Sequence, residues 1–262
     1  MAWNDLGGAD VRHRPSQHES DRFGFSIARV TCGFGSDRHN TTRLTQILSE
    51  ATEDVLIVRY PADQLALGTA ALKSGRTVLP AGALSYWDAE SAAIMRPGRI
   101  SSVDVSPIED LDRGERRDAA ERLIDDVVSD AFAGYGSHYL ANPMFDATRA
   151  VEGYQEWAHK SLESGKVLVL LENGDPIGLA TCALEADHLE ILLAGVIPSA
   201  QGSGRYGVLI GACAELAAGH NLPRVIISGQ VHNVRAQRAW VRAGLRPFAA
   251  VETLHAVRPG LL

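Results

Sequence analysis

No stretch of the chain approaches the ~20 consecutive apolar residues that span a bilayer. The N-terminus, Met1-Ala-Trp-Asn-Asp-Leu-Gly-Gly, has no basic stretch leading into an apolar core. These absences exclude a membrane span and a secretory leader and make the cytoplasm the expected compartment. Cysteine is scarce: Cys32, Cys182 and Cys213 are odd in number, far apart and set among apolar or small residues. That pattern excludes a disulfide framework and reads as reduced, buried thiols. The 9 histidines show no ligand spacing with cysteines or carboxylates, so no metal is expected. A surplus of basic charge is also missing. With a net charge of −7, the chain lacks the cationic face that phosphate backbones require, which excludes nucleic acid as a partner. No internal repeat and no low-complexity tract is visible.

What remains is ordinary globular composition, 45% hydrophobic and 22% charged over 262 residues. That is enough for one large or two modest domains. The first dozen residues are polar and read as poorly ordered. Phe25 to Thr31 and Val55 to Tyr60 read as strands. Thr41 to Ala51, capped by Thr41 or Thr42, reads as a helix, as does Asp63 to Ser74, capped by Asp63 and stopped at Gly75. Arg76 to Trp87 is extended, and Ala93 to Gly98 is a linker. The expected division is therefore a small N-terminal α/β domain over 1–98 and a second domain over 99–262. In the second, Ile100 to Val105 is a strand, Ile108 to Phe132 holds a long helix, and Phe145 to Glu163 is another. Lys166 to Leu171 and Pro176 to Glu185 form a hairpin around Asn173-Gly174, a pair that tolerates positive φ. A strand from His188 to Val196 follows, then a helix over Val208 to Ala218, a strand over Arg224 to Ser228, a helix opened by Asn233, and a last strand over Ala250 to Val257.

The most informative stretch is Val196-Ile-Pro-Ser-Ala-Gln-Gly-Ser-Gly-Arg-Tyr-Gly207. Strand, glycine-rich turn and helix together can hold a phosphate, because small residues admit the ligand and the first-turn N–H groups lack intrahelical partners. With the strand Arg224 to Ser228 and Asn233 behind it, this order resembles motifs A and B of the GNAT acyl-coenzyme A N-acetyltransferases. The resemblance implies an α/β (α+β) GNAT fold, a mixed central sheet with splayed fourth and fifth strands, and acetyl-CoA as co-substrate. It places Val196, Gln201, Gly202, Ser203, Gly204, Arg205, Tyr206, Gly207 and Asn233 against the cofactor. Gln201 and Gly204 match the family's phosphate loop; Tyr206 stands where glycine or alanine is usual.

Acyl transfer from a thioester needs a polarised carbonyl, a deprotonated amine and a leaving thiolate that gains a proton. The resemblance assigns the first role to a backbone N–H at about Ala194, beside a bulge that Gly195 would mark, although packing alone also accounts for a glycine there. Glu190 matches the position of the family's glutamate base. Glu185, Asp187 and His188 compete with it, His188 because imidazole titrates near neutrality. At the position of the usual acid, a tyrosine, the sequence has Trp240. An indole N–H donates hydrogen bonds but is far too weak an acid for this step. Packing is then the favoured reading of Trp240, and Tyr206 is a second candidate acid.

Asp21-Arg22-Phe23-Gly24-Phe25, the Ala131-Phe132 to Tyr154-Gln-Glu-Trp157 segment and Glu252-Thr-Leu-His255 resemble enzymes of the dTDP-fucosamine acetyltransferase type, which N-acetylate nucleotide-linked amino sugars. That similarity implies a nucleotide-sugar acceptor. Contacts are expected from Phe23, from the loop residues Tyr135, Ser137, His138 and Tyr139, and from Tyr154 and Trp157, with charge from Arg22, Arg29 or Arg149. For Tyr154 and Trp157 a packed helix face competes with substrate contact. Enzymes of this layout often pair through the GNAT domain, so a homodimer is a further expectation. Two alternatives stay open: another amine acceptor, such as an aminoglycoside, a polyamine or a peptide N-terminus, and a GNAT module that binds acyl-CoA without turnover.

Overall fold

The computed structural model describes residues 3–37, 39–95, 98, 101–111, 114–133, 137–164 and 166–262. In chain order the elements are β1 (Val11–Pro15), α1 (Gln17–Phe23), β2 (Ile27–Cys32), α2 (Asn40–Glu50), β3 (Val55–Pro61), α3 (Leu65–Leu72), β4 (Thr77–Glu90) and β5 (Val103–Pro107). They continue with α4 (Glu115–Ala133), α5 (Ala147–Ser164), β6 (Lys166–Glu172), β7 (Asp175–Leu184), β8 (Leu189–Val196), α6 (Arg205–Gly219), β9 (Arg224–Gln230), α7 (Val234–Ala243) and β10 (Arg246–Val257). The chain forms two compact units, neither contiguous in sequence. One comprises Met1–Ser85, Gly136–Gly153 and Ala249–Leu262; the other comprises Tyr86–Tyr135 and Tyr154–Phe248. This division differs from a single cut at 98/99 over three segments, 86–98, 136–153 and 249–262. The end of the chain joins the first unit because β10 pairs antiparallel with β3 from Val251↔Pro61 to Val257↔Val55.

The first unit begins earlier than the polar composition suggested. Val11–Pro15 pairs antiparallel with β2, and α1 ends at Gly24, whose φ of 80° closes the helix onto the Ser20 carbonyl. β2 and β3 are parallel, joined through α2, and Val55–Pro61 is buried throughout. Leu44, Ile47 and Leu48 of α2 and Leu67, Ala70 and Ala71 of α3 pack on Ala28, Val30, Leu56 and Val58. The expected caps differ. Neither Thr41 nor Thr42 caps α2, which starts a residue earlier at Asn40, and α3 starts after Gln64 rather than at Asp63.

Within this unit lies a buried polar network. Glu19 accepts from Arg29 Nε at 2.7 Å and from the Tyr139 hydroxyl. Beside it, His138 Nδ1 and His255 Nε2 lie 3.0 Å apart, and Phe23, Tyr139 and Phe145 stack at 4.6–5.2 Å between ring centroids. Burial raises the Glu19 carboxyl, but the Arg29 hydrogen bond and charge, with further hydrogen bonds, prevail and lower it to about 2. Burial, then the nearby Arg59 charge, lowers His255 to about 4 and depresses His138 as well.

The first unit also repeats a topology of the second. An antiparallel pair, β1–β2, leads through a helix to a strand parallel to the second of the pair; β7–β8, α6 and β9 do the same. The turn leaving β2 is closed, however. Gly35 N donates to Gly8 O at 2.9 Å, and a Cβ on Gly33 would overlap that same carbonyl.

In the second unit the strand order is β4-β9-β8-β7-β6-β5. The hairpin between β6 and β7 turns at Asn173 and Gly174, with φ of 51° and 92°. β6 and β7 bury Leu168, Leu170, Ala180 and Cys182 against Leu209, Ile210, Cys213 and Ala217 of α6. On the other face, Ile124, Val127 and Val128 of α4 pack on Leu179 and Leu193. Cys182 and Cys213 face each other at 3.8 Å as free thiols. The contact with Cys182 and burial push the Cys213 thiol up, away from the reactive thiolate. Among the described residues, no helix is long and apolar enough to cross a membrane, and no group of three or more His, Cys, Asp or Glu could hold a metal ion.

Candidate active site

β8 and β9 pair in parallel from Leu189↔Val225 only as far as Ile191↔Ile227 among the described residues. β8 keeps its antiparallel pairing with β7 to Val196↔Gly178. Past Ile191 one edge of β8 is therefore released from β9. The cause is local: Ile191 faces Cys182 and Leu193 faces Thr181, so Leu192 is an extra residue on β8. Such a bulge bends a strand and disrupts its ladder. The bulge is thus at Leu192, not at Gly195 as the sequence suggested. Gly195 is glycine for packing, because a Cβ there would overlap the Val127 Cγ1 of α4. Gly195→Ala is expected to destabilise the protein by about 1–3 kcal/mol through overpacking, read as a lowered midpoint in urea unfolding. An unchanged midpoint would count against that contact.

The released edge opens into a cleft of about 1080 Å³, slightly larger than the usual ~1,000 Å³ upper end of small-molecule sites. Leu192, Leu193, Ala194, Gly195 and Val196 line one wall, and Ile227 and Ser228 of β9 contribute the other. Gly202, Gly204, Tyr206 and Gly207 close it at the start of α6, and Asn233, Ala236, Ala239 and Trp240 of α7 flank it. Gly202 and Gly204 have φ of 86° and 84°, a conformation that costs most side chains strain. A Cβ at either position would meet nothing within 4 Å, so the surface above the loop is open. Gly204 is the N-cap of α6 and supplies no side-chain cap; the Gly207 N–H turns back to the Gly204 carbonyl at 2.9 Å, and the positive end of the helix faces the turn.

Gln201 holds this loop. Its Nε2 donates to Val196 O at 2.8 Å, and its Oε1 accepts from Arg235 Nη1 at 2.6 Å. Asn233 caps α7, accepting the Ala236 N–H at 3.2 Å. Trp240 is 2% exposed and packs at 5.8 Å against Trp87, and its Nε1 donates to the Tyr206 hydroxyl at 3.0 Å.

The structure gathers Ala194, Val196, Gln201, Gly202, Gly204, Tyr206, Gly207, Asn233 and Trp240 around the cleft. It places others elsewhere. The Ser203 hydroxyl donates to Ala200 O, and Arg205 pairs with Glu172 and Ser203, so both side chains brace the loop outside the cleft lining. Glu190 is buried on β8 in register with Ile226, before the strands part. His188 lies in the turn before β8, 1% exposed, with Nδ1 2.7 Å from Asp187 Oδ1; that hydrogen bond lowers the Asp187 carboxyl. Neither Glu190 nor His188 lines the cleft. Tyr154 and Trp157 pack beside the α4 cluster around Ile124, Val127 and Ala158, as a helix face. Phe23, Ser137, His138 and Tyr139 are buried within the first unit, where Phe23 and Tyr139 pack ring to ring and His138 faces His255. Tyr135 lies outside the described residues. Sequence reading missed Met95, Ser228, Arg235 and Arg242 in the lining. The signal on α7 was present: Arg235, Ala236, Ala239, Arg242 and Ala243 recur at helical spacing on one face.

Residues 120–245 match the family model described as Acetyltransferase (GNAT) family. This part of the chain is a GNAT acetyltransferase domain. Solved structures share the fold. A functionally unknown conserved protein from Staphylococcus epidermidis is 16% identical, with a TM-score of 0.61 over 98% of each chain. A GCN5-related N-acetyltransferase from Sphaerobacter thermophilus is 15% identical, with a TM-score of 0.62 over 95% of this chain and 77% of that one. Another, from Kribbella flavida, is 14% identical, with a TM-score of 0.56 over 90% and 83%. No curated protein matches the chain in sequence. The GNAT family uses acetyl-CoA, and the protein is an acyl-CoA-dependent N-acetyltransferase. The cleft fits that co-substrate: a long apolar trough between parted strands ends at a glycine turn and an uncapped helix start suited to a pyrophosphate.

Proposed function

We propose that the protein transfers the acetyl group of acetyl-CoA to the amine of a nucleotide-linked amino-deoxy sugar by direct attack in a ternary complex, in the cytoplasm. The observation that carries the transfer chemistry is the release of β8 from β9 at Leu192 beside the Gly202–Gly204 turn. It frees backbone N–H groups, that of Ala194 among them, to polarise the thioester carbonyl while the loop holds the diphosphate. The described residues that line the cleft include no carboxylate or imidazole. On this reading the amine loses its proton through water, with Glu190 at the start of the same strand or His188 in the turn before it as the terminal acceptor. The sugar assignment rests on the resemblance of Phe23-Gly24-Phe25 and of the Tyr154–Trp157 segment to enzymes of that type.

Burial of Ser137, His138 and Tyr139 favours a second reading, a smaller amine that needs no aromatic platform from that loop. The discriminating experiment measures free thiol released from acetyl-CoA with dTDP- and UDP-linked amino sugars, aminoglycosides, polyamines and peptides. Release with a nucleotide-linked amino sugar alone is expected. Release only with another amine would replace the sugar and keep the chemistry. Tight acetyl-CoA binding without release would make the domain a binding module.

A further inference from the structure

We propose that Tyr206 is the acid that protonates the departing thiolate, and that Trp240 is its positioning residue. The proposal rests on the acyl-transfer reading above. Tyr206 lies in the first turn of α6, lines the cleft, and accepts the Trp240 Nε1–H at 3.0 Å. An indole N–H is a donor only, so the phenol oxygen is the acceptor in this bond. The donor is held still: Trp240 is buried and wedged at 5.8 Å against Trp87. A fixed donor on the phenol oxygen stabilises phenolate and makes Tyr206 a better acid.

The other polar side chains of the lining do not suit the step, the Ser228 hydroxyl being a far weaker acid than a phenol. Asn233 is committed to capping α7, Gln201 to Val196 and Arg235, and an arginine does not give up its proton in a protein. A phenol, ordinarily titrating near 10, is matched to a thiol near 8.5. The amine nitrogen attacks the carbonyl carbon and the C–S bond breaks with its electron pair on sulfur. The Tyr206 proton then passes to sulfur, so CoA leaves as the thiol. The phenolate is reprotonated by the proton that the amine gave up, and acetyl-CoA plus amine become amide plus CoA.

The test compares the full chain with Tyr206→Phe and Trp240→Phe, using acetyl-CoA with the best amine of the panel, or water as acceptor where no amine serves. Tyr206→Phe is expected to lower kcat by at least ~100-fold, with the KM for acetyl-CoA within about twofold of wild type and the basic limb of the pH profile gone. Trp240→Phe is expected to move that limb to higher pH. Trp240→Phe removes buried packing, and Tyr206→Phe keeps the test valid if it unfolds. Wild-type kcat and an unchanged basic limb in Tyr206→Phe would overturn the acid role alone. A wild-type protein that binds acetyl-CoA but never releases thiol would also overturn it. Failure of the wild type to bind acetyl-CoA would overturn both the acid role and the acyl-transfer reading beneath it.

Discussion

Glu19→Ala is expected to destabilise the protein by about 3 kcal/mol at neutral pH, more than any exposed ion pair contributes. Glu19 is 2% exposed, and its carboxyl is held at about 2 against an ordinary 4.5. Each unit of such a shift corresponds to ~1.4 kcal/mol of stability above the unfolded value. Removing the carboxylate also leaves the Tyr139 hydroxyl buried without its acceptor. The acid dependence has two windows. His255, depressed from 6.5 to about 4, binds its proton first in the unfolded chain, so stability falls as pH drops from 6.5 towards 4. Glu19 contributes fully above 4.5, and its share is lost as pH falls towards 2. Urea midpoints measured between pH 7 and 2 should show both windows in the wild type. In Glu19→Ala the lower window should shrink while the upper one stays. A variant that keeps wild-type stability at pH 7 would contradict the network.

Gly204→Asp is expected to weaken acetyl-CoA binding by ~100-fold while leaving the fold intact. The position has space for a side chain, and Asp and Asn tolerate its φ of 84° better than other residues. Either residue at a helix start can also cap it, so the unfolding temperature should stay within a few degrees of wild type. A carboxylate about 5 Å from one phosphate charge, at an effective dielectric near 20, costs about 3 kcal/mol. Gly204→Asn has the same shape without the charge and should bind far better than the Asp variant, and the difference between the two should shrink with added salt. Equal affinities, measured by calorimetry, would mean that the ligand's phosphates lie elsewhere.

The catalytic half was legible because its signals are local. The Asn173-Gly174 turn, the order of strands and helices from Lys166 to Ala243, and the glycine turn all depend on neighbours in sequence. The bulge was misplaced because glycine was read as its marker, whereas Gly195 answers to a helix distant in the chain and Leu192 has no local signature. The division into compact units was hidden for a similar reason. Nothing near Val251 to Val257 reveals that these residues pair with β3, and only the long-range register shows it. Likewise, Tyr139 read as a substrate group by residue type and Phe23 by resemblance, and nothing local in sequence shows that the Tyr139 hydroxyl reaches Glu19 or that both rings pack on Phe145. The recurrence of β1-β2-α2-β3 in β7-β8-α6-β9 left no trace in sequence, because topology is kept by pairing and burial, which many residues satisfy.

The most direct test of the account is hydrogen–deuterium exchange of the full chain with and without acetyl-CoA. The amides from Leu192 to Val196 and from Gly202 to Val208 should become protected on binding, with α2 and α3 of the first unit unchanged. Binding that leaves those two segments exchanging freely, with protection confined to other parts of the chain, would contradict the assignment of the cleft.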